Sequence, residues 1–221
     1  MPEVNLLRAL PATKRNIKRR SDFKDTSVID VAKQFGEMYF DGPREFGYGG
    51  YRYDGRWQPV ARDIVDHFDL KPKMRVLDVG CAKGFLVKDL LQGCPGLEAF
   101  GLDISSYALM HCEPETVGRL HLGTADSLPF PDASFDAVLS INTIHNLDEK
   151  GCIRALREMR RVCRKPDKCF VQVDAYRTAE EKALFESWCL TAVTYLTPVE
   201  WIKLFDEANF TGDYYWTILE A

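Results

Sequence analysis

Val76-Leu77-Asp78-Val79-Gly80-Cys81-Ala82-Lys83-Gly84-Phe85-Leu86 is the stretch whose reading decides the fold. Met74 to Val79 is a short β-type run closed by an acidic residue and a glycine turn. Phe85 to Leu91 then takes up the spacing of an amphipathic helix. Glycines at 80 and 84, with small Ala82 between them, let backbone approach a ligand where a larger side chain would stand in the way. A helix that starts there turns its free N–H groups and positive dipole end into the same space. Asp78 would repel a pyrophosphate and can orient a cationic amino-acid ligand, so the charge favours a sulfonium amino acid over a dinucleotide.

Outward from this stretch the period keeps alternating. Ala99–Leu102, Arg119–Leu122, Phe135–Ile141, Cys169–Val173 and Tyr214–Leu219 read as strands. Between them, Ser105–Cys112, Asp148–Cys163, Glu180–Leu190 and Pro198–Ala208 read as helices, the last opened by a Thr197/Glu200 capping box. Strands joined by helical crossovers make a doubly wound, mostly parallel α/β sheet in a three-layer sandwich. Ligands of such sheets lie beyond the carboxyl ends of the strands. Two segments are expected: residues 1–57, a basic arm with a helix over Asp30–Tyr39 and a Gly/Tyr-rich loop, and residues 58–221, the α/β domain beginning with a helix at Pro59–Phe68.

Composition excludes several classes. With 46% hydrophobic and 28% charged residues the 221-residue chain is globular. Its apolar runs are far too short for a membrane helix. The opening Met-Pro-Glu-Val-Asn lacks a signal-peptide layout. A net charge of −4 argues against a binder of nucleic acid that relies on overall charge. Residues 1–25 nevertheless carry +4, concentrated in Lys14, Arg15, Lys18, Arg19 and Arg20. Seven cysteines without a Cys-x-x-Cys pair suggest no metal site, no disulfide framework and a reducing cytoplasm.

Three further loops carry candidate chemistry. Asp103 follows Asp78 by 25 residues and can accept hydrogen bonds from a ribose diol, or equally cap the next helix. Asp126, in Gly123-Thr124-Ala125-Asp126-Ser127, can accept from an adenine amino group or simply form a turn. His145 follows the fourth strand and has a pKa range suited to proton transfer near neutrality, or it hydrogen-bonds backbone within its loop.

Val76–Leu86, Gly101–Ser105, Ala125–Pro131 and Ser134–Ile141, in that order, resemble the class I S-adenosylmethionine-dependent methyltransferases, with Ala82 where many members have glycine. The resemblance implies a Rossmann-like fold and S-adenosyl-L-methionine as cofactor. It implies that Gly80, Cys81, Ala82 and Gly84 line the methionine and ribose part, Asp78 the methionine end and Asp103 the ribose hydroxyls. It also implies Ile104, Ala125, Asp126 and Ser127 around adenine and the Asn142 backbone beside the amino acid. The expected reaction is methyl transfer to an oxygen or nitrogen of a small molecule, with His145 as base. The acceptor would be framed by Tyr48, Tyr51, Arg52 and Trp57 of the Gly/Tyr-rich loop and by Asp174 and Tyr176 after the fifth strand. Arg52 and Arg56 would hold a carboxylate or phosphate. Alternatives are an RNA or protein methyltransferase guided by the basic arm, or a non-catalytic binding module of the same fold. Nothing in the sequence opposes a homodimer, and Trp188 and Trp201 read as core or interface residues.

Overall fold

The computed structural model describes residues 1–11 and 16–219. Of the basic run, Lys14 and Arg15 lie outside the described residues. Six strands, β1 (Arg75–Val79), β2 (Glu98–Asp103), β3 (Leu120–Leu122), β4 (Ala137–Ile141), β5 (Cys169–Ala175) and β6 (Asp213–Ile218), form one sheet. Their order is β3-β2-β1-β4-β5-β6 and every neighbouring pair is parallel. Three short helices, α1 (Ile17–Phe23), α2 (Thr26–Ala32) and α3 (Glu37–Phe40), precede the sheet. The others are α4 (Gln58–Phe68), α5 (Phe85–Gly93), α6 (Ser106–Met110), α7 (Glu149–Val162), α8 (Ala179–Trp188) and α9 (Pro198–Glu207).

Alternation along the strands sorts the two faces. Val76, Ala99, Leu139 and Phe170 pack against Ile64 and Phe68 of α4 and Leu86 and Leu90 of α5. Leu77, Val79, Val138 and Val171 pack on the other face against Leu156 and Met159 of α7 and Trp201 and Phe205 of α9. Trp201 is fully buried there, which makes it a core residue and not an interface residue. Order reverses between β1 and β4, so the crevice at their carboxyl ends is the place where such a sheet binds ligands.

The described residues among the first 57 are not a free arm. Glu3 bridges to Tyr214 beside β6, and the Val4 N–H donates to the Tyr214 carbonyl at 2.8 Å. Leu6 is buried in the core and Arg8 pairs with Asp63 on α4. The Lys24 ammonium donates to the Cys189 carbonyl (2.6 Å) and the Glu186 carbonyl, capping the end of α8. The single helix expected over residues 30–39 is instead α2 and α3, broken where Phe35 turns to φ +48° ahead of Gly36. That break faces Ala32 and Phe40 inward and leaves Met38 on the surface.

Asp41, just after α3, fastens this segment to the sheet. Its carboxylate accepts from the Lys83 ammonium (2.8 and 2.6 Å), the Tyr107 hydroxyl (2.8 Å) and the Tyr51 N–H (3.1 Å). Lys83 belongs to the glycine turn and is only 7% exposed, so it depends on this partner. Replacing Asp41 by Asn leaves a buried ammonium without a counter-charge, at about 1–3 kcal/mol. Amide hydrogen exchange of Asp41→Asn should accelerate across residues 33–51 and stay unchanged in β1, β4 and β5. Exchange unaltered across 33–51 would show that the fastening lies elsewhere.

Candidate functional site

The glycine turn takes its shape from three left-handed residues, Gly80 (φ +87°), Ala82 (φ +50°) and Gly84 (φ +78°). A Cβ on Gly80 would lie 1.9 Å from Thr143 Oγ1, so only glycine lets this turn meet the loop after β4. Ala82 holds its strained conformation because its N–H donates to Asp103 Oδ2 at 2.8 Å. Asp103 Oδ1 accepts from the Ser105 N–H, also at 2.8 Å. Asp103 is therefore not the cap of α6; that cap is Ser105, whose hydroxyl oxygen accepts from the Ala108 N–H.

Two cavities open at this end of the sheet. The smaller, about 170 Å³, is lined by Asp103, Ile104, Ala125, Asn146 and Leu147 and covered by Phe35 and Phe40. Asn146 Oδ1 is buried there with no hydrogen-bond partner among the described residues. The larger, about 620 Å³, lies on the α4/α5 side of the sheet. Asp78, His145, Gln172 and Asp174 contribute to its polar wall, and Tyr48, Tyr51, Trp57, Phe185 and Trp188 to its aromatic one. Tyr39, Tyr48, Gly80, Ala82 and Asn142 belong to the walls of both. Asn142 reaches that shared position with φ +56°.

The electrostatics follow from burial. Asp78 is 5% exposed, and no hydrogen bond reaches its carboxylate from the described residues. Burial, with the Asp103 charge adding repulsion, pushes its pKa up to about 7. Burial also raises the Asp103 pKa, but the N–H groups of Ser105, Ala82 and Ile104 oppose the rise. His145 is 2% exposed, and burial lowers its pKa against the attraction of Asp174. Its Nδ1 accepts from the Asp174 N–H at 3.2 Å, which leaves the proton of the neutral ring on Nε2, 3.7 Å from Asp174 Oδ2. In this tautomer Nε2 carries an N–H on the side of the Asp174 carboxylate, and a base role would require breaking the backbone bond.

Of the residues singled out from sequence, Asp78, Gly80, Cys81, Ala82, Asp103, Ile104, Ala125 and Asn142 line one or both cavities. So do Tyr48, Tyr51, Arg52, Trp57, His145 and Asp174. Four do not. Gly84 sits under Thr116 and Leu120. The Asp126 carboxylate is taken by Arg154 of α7 (2.7 Å), and Ser127 closes a turn back to Thr124. Tyr176 packs on Tyr195, ring centroids 4.8 Å apart. Arg56, expected to hold an anion, also lines the larger cavity but forks onto Asp54 two residues upstream, and the exposed Arg52 stands at the rim. Arg20 stood out in the sequence only as part of the basic run, and Asn146, Gln172 and Arg44 not at all. Of these three, only Gln172 carried a signal, a lone amide inside an apolar strand.

The Asp78 carboxyl titrates near 7 when folded and near 3.9 when unfolded. Between those values the folded chain binds more protons, so stability falls as pH rises from about 4 to about 7 and levels off above. Thermal unfolding of the wild type and Asp78→Asn across this range should diverge by on the order of 4 kcal/mol, the wild type losing more. Parallel curves would contradict the assignment.

Residues 77–171 match the model of a family described as a methyltransferase domain. A demethylmenaquinone methyltransferase of Thermotoga maritima is 33% identical over 113 residues, 51% of this chain and 47% of that protein. Cycloartenol-C-24-methyltransferase 1 of Oryza sativa subsp. japonica is 30% identical over 192 residues, 78% of this chain and 48% of that one. This chain thus spans about half the length of the curated relatives it matches. Among solved structures, a Haloferax volcanii complex with the methyltransferase activator Trm112 aligns with a TM-score of 0.55 at 23% identity, covering 67% of this chain and 65% of that one. That likeness speaks to the fold. Glycine turn and parallel sheet coincide with the family match: residues 77–171 are similar to a methyltransferase domain, and the sheet has the Rossmann-like α/β fold.

Proposed function

We propose that this chain transfers a methyl group from S-adenosylmethionine to an oxygen or nitrogen of a small molecule. The observation that carries the reading is the common wall of the two cavities at Tyr39, Tyr48, Gly80, Ala82 and Asn142. A donor site and an acceptor chamber meet there. When bound, S-adenosylmethionine supplies a methyl group already activated by its sulfonium charge. The protein's own work is then alignment and exclusion of water, and alignment alone is worth about 7–11 kcal/mol of barrier.

The fit to that cofactor rests on unanswered polar atoms. Asp103 has lone pairs left over from its two backbone bonds and would accept from the ribose hydroxyls. Asn146 Oδ1 would take the adenine amino group, the role that Asp126 loses to Arg154. Asp78 would face the cationic amino group, which holds it ionised. Ile104 would pack on the adenine ring.

On the acceptor side, Gln172 favours an N–H or O–H nucleophile. It is 2% exposed, its Nε2 donates to Thr217 Oγ1 at 2.8 Å, and its Oε1 has no partner among the described residues. A buried acceptor of this kind is completed by a donor on the ligand. A small molecule is favoured over RNA because the described arginines of residues 1–25 turn to the protein itself: Arg8 pairs with Asp63, Arg19 with Glu45, and Arg20 is buried inside the fold. We place the chain in the cytoplasm, which its seven free thiols support; no helix of the described residues is long and apolar enough to cross a membrane.

Calorimetric titration with S-adenosylhomocysteine tests the reading. The wild type should bind, and Asp103→Ala should lose about 1–3 kcal/mol, the range for hydrogen bonds to a charged acceptor. Affinity should rise with pH toward 7 as Asp78 ionises, and then level off. No binding by the wild type would favour a non-catalytic module of the same fold.

A further inference from the structure

Inside the acceptor chamber, the Arg20 guanidinium has no carboxylate of the described residues within ion-pair distance. Arg20, on α1, is 8% exposed and lines the chamber. Its Nη2 donates to the carbonyls of Arg44 and Gly47, both at 2.6 Å. Its Cζ lies 4.3 Å from the centre of the Trp188 ring. Arg44 lines the same cavity, with its Cζ 5.5 Å from the same ring and Nη1 donating to the Gly47 and Tyr48 carbonyls. Among the described residues, the Nε and Nη1 of Arg20 make no hydrogen bond. The nearby Glu45 goes to Arg19 instead.

A buried cation without a counter-ion is costly, and two cations on one ring repel each other. Carbonyl dipoles and the indole face offset part of that cost, not all of it. Bracing the N-terminal segment does not account for the arrangement, because it uses a single nitrogen of Arg20. Lys24, on the same segment, already braces α8 with an ammonium. What the arginine fork adds is a planar set of donors matched to two oxygens of one anion.

We propose that the methyl acceptor carries an anionic group, a carboxylate or a phosphate ester, held by Arg20 and Arg44 beside the face of Trp188. The acceptor then lies between two unlike walls. Its anion meets α1, α8 and the turn at 44–48, and its nucleophile meets Gln172 where the chamber joins the donor cavity. This rests on reading the larger cavity as the acceptor chamber.

Calorimetry on the full chain tests it, with benzoate, phenyl phosphate, benzyl alcohol and benzylamine as probes in the presence of saturating S-adenosylhomocysteine. At least one anion should bind tenfold or more tightly than the alcohol and the amine, benzoate leading for a carboxylate site and phenyl phosphate for a phosphate site. Arg20→Gln should weaken the anions at least tenfold and leave S-adenosylhomocysteine within twofold. Should that variant fail to fold, Arg44→Gln and the wild-type contrast between anion and alcohol still decide. Anions binding no better than benzyl alcohol would overturn the proposal. So would a variant that weakens S-adenosylhomocysteine and spares the anions, since the pair would then serve the cofactor's own carboxylate. If S-adenosylhomocysteine does not bind but the anions still discriminate, the transferase reading fails and the anion subsite stands.

Discussion

The Asp103 carboxylate, gripped by the N–H groups of Ala82 and Ser105, is the constraint on which the rest of the site depends. One side chain at the end of β2 ties together the glycine turn after β1 and the start of α6. It holds Ala82 in a left-handed conformation that a residue with a Cβ ordinarily avoids. With the turn fixed, Gly80 closes on Thr143 and the loops after β1 and β4 share a wall. The remaining lone pairs of the carboxylate then face the smaller cavity.

Burial of two carboxylates side by side makes the unliganded site electrostatically uncomfortable. Asp78 carries most of that discomfort, since it lacks the backbone donors that support Asp103. A cationic ligand group would relieve the repulsion, and this is the physical ground for proposing a sulfonium amino acid over a dinucleotide. The N-terminal segment covers the smaller cavity with Phe35 and Phe40 and fastens itself through Asp41 to Lys83 of the same turn. Cover, turn and carboxylates act as one unit.

Features set by neighbours in sequence were legible beforehand. The alternation of strand and helix, the glycine turn, the acidic ends of β1 and β2 and the Thr197 capping box all depend on local spacing, and the structure carries each of them. Features set by distant partners were not. Asp126 looked free because Arg154 lies on α7, distant in sequence, and Asn146 looked unremarkable because only the fold buries its Oδ1 without a partner. The helical spacing of residues 30–39 concealed a break forced by packing onto the glycine turn. The exchange of Arg56 for Arg20 mixes both cases. Asp54, two residues before Arg56, was in plain view, whereas the approach of α1 to Trp188 is a tertiary event.

A crystal structure of the full chain grown with S-adenosylhomocysteine would test the central claim most directly. The account predicts adenosine in the smaller cavity, its ribose hydroxyls on Asp103 and its amino-acid end at the wall between the chambers. A ligand seated elsewhere, or ribose hydroxyls that ignore Asp103, would contradict it.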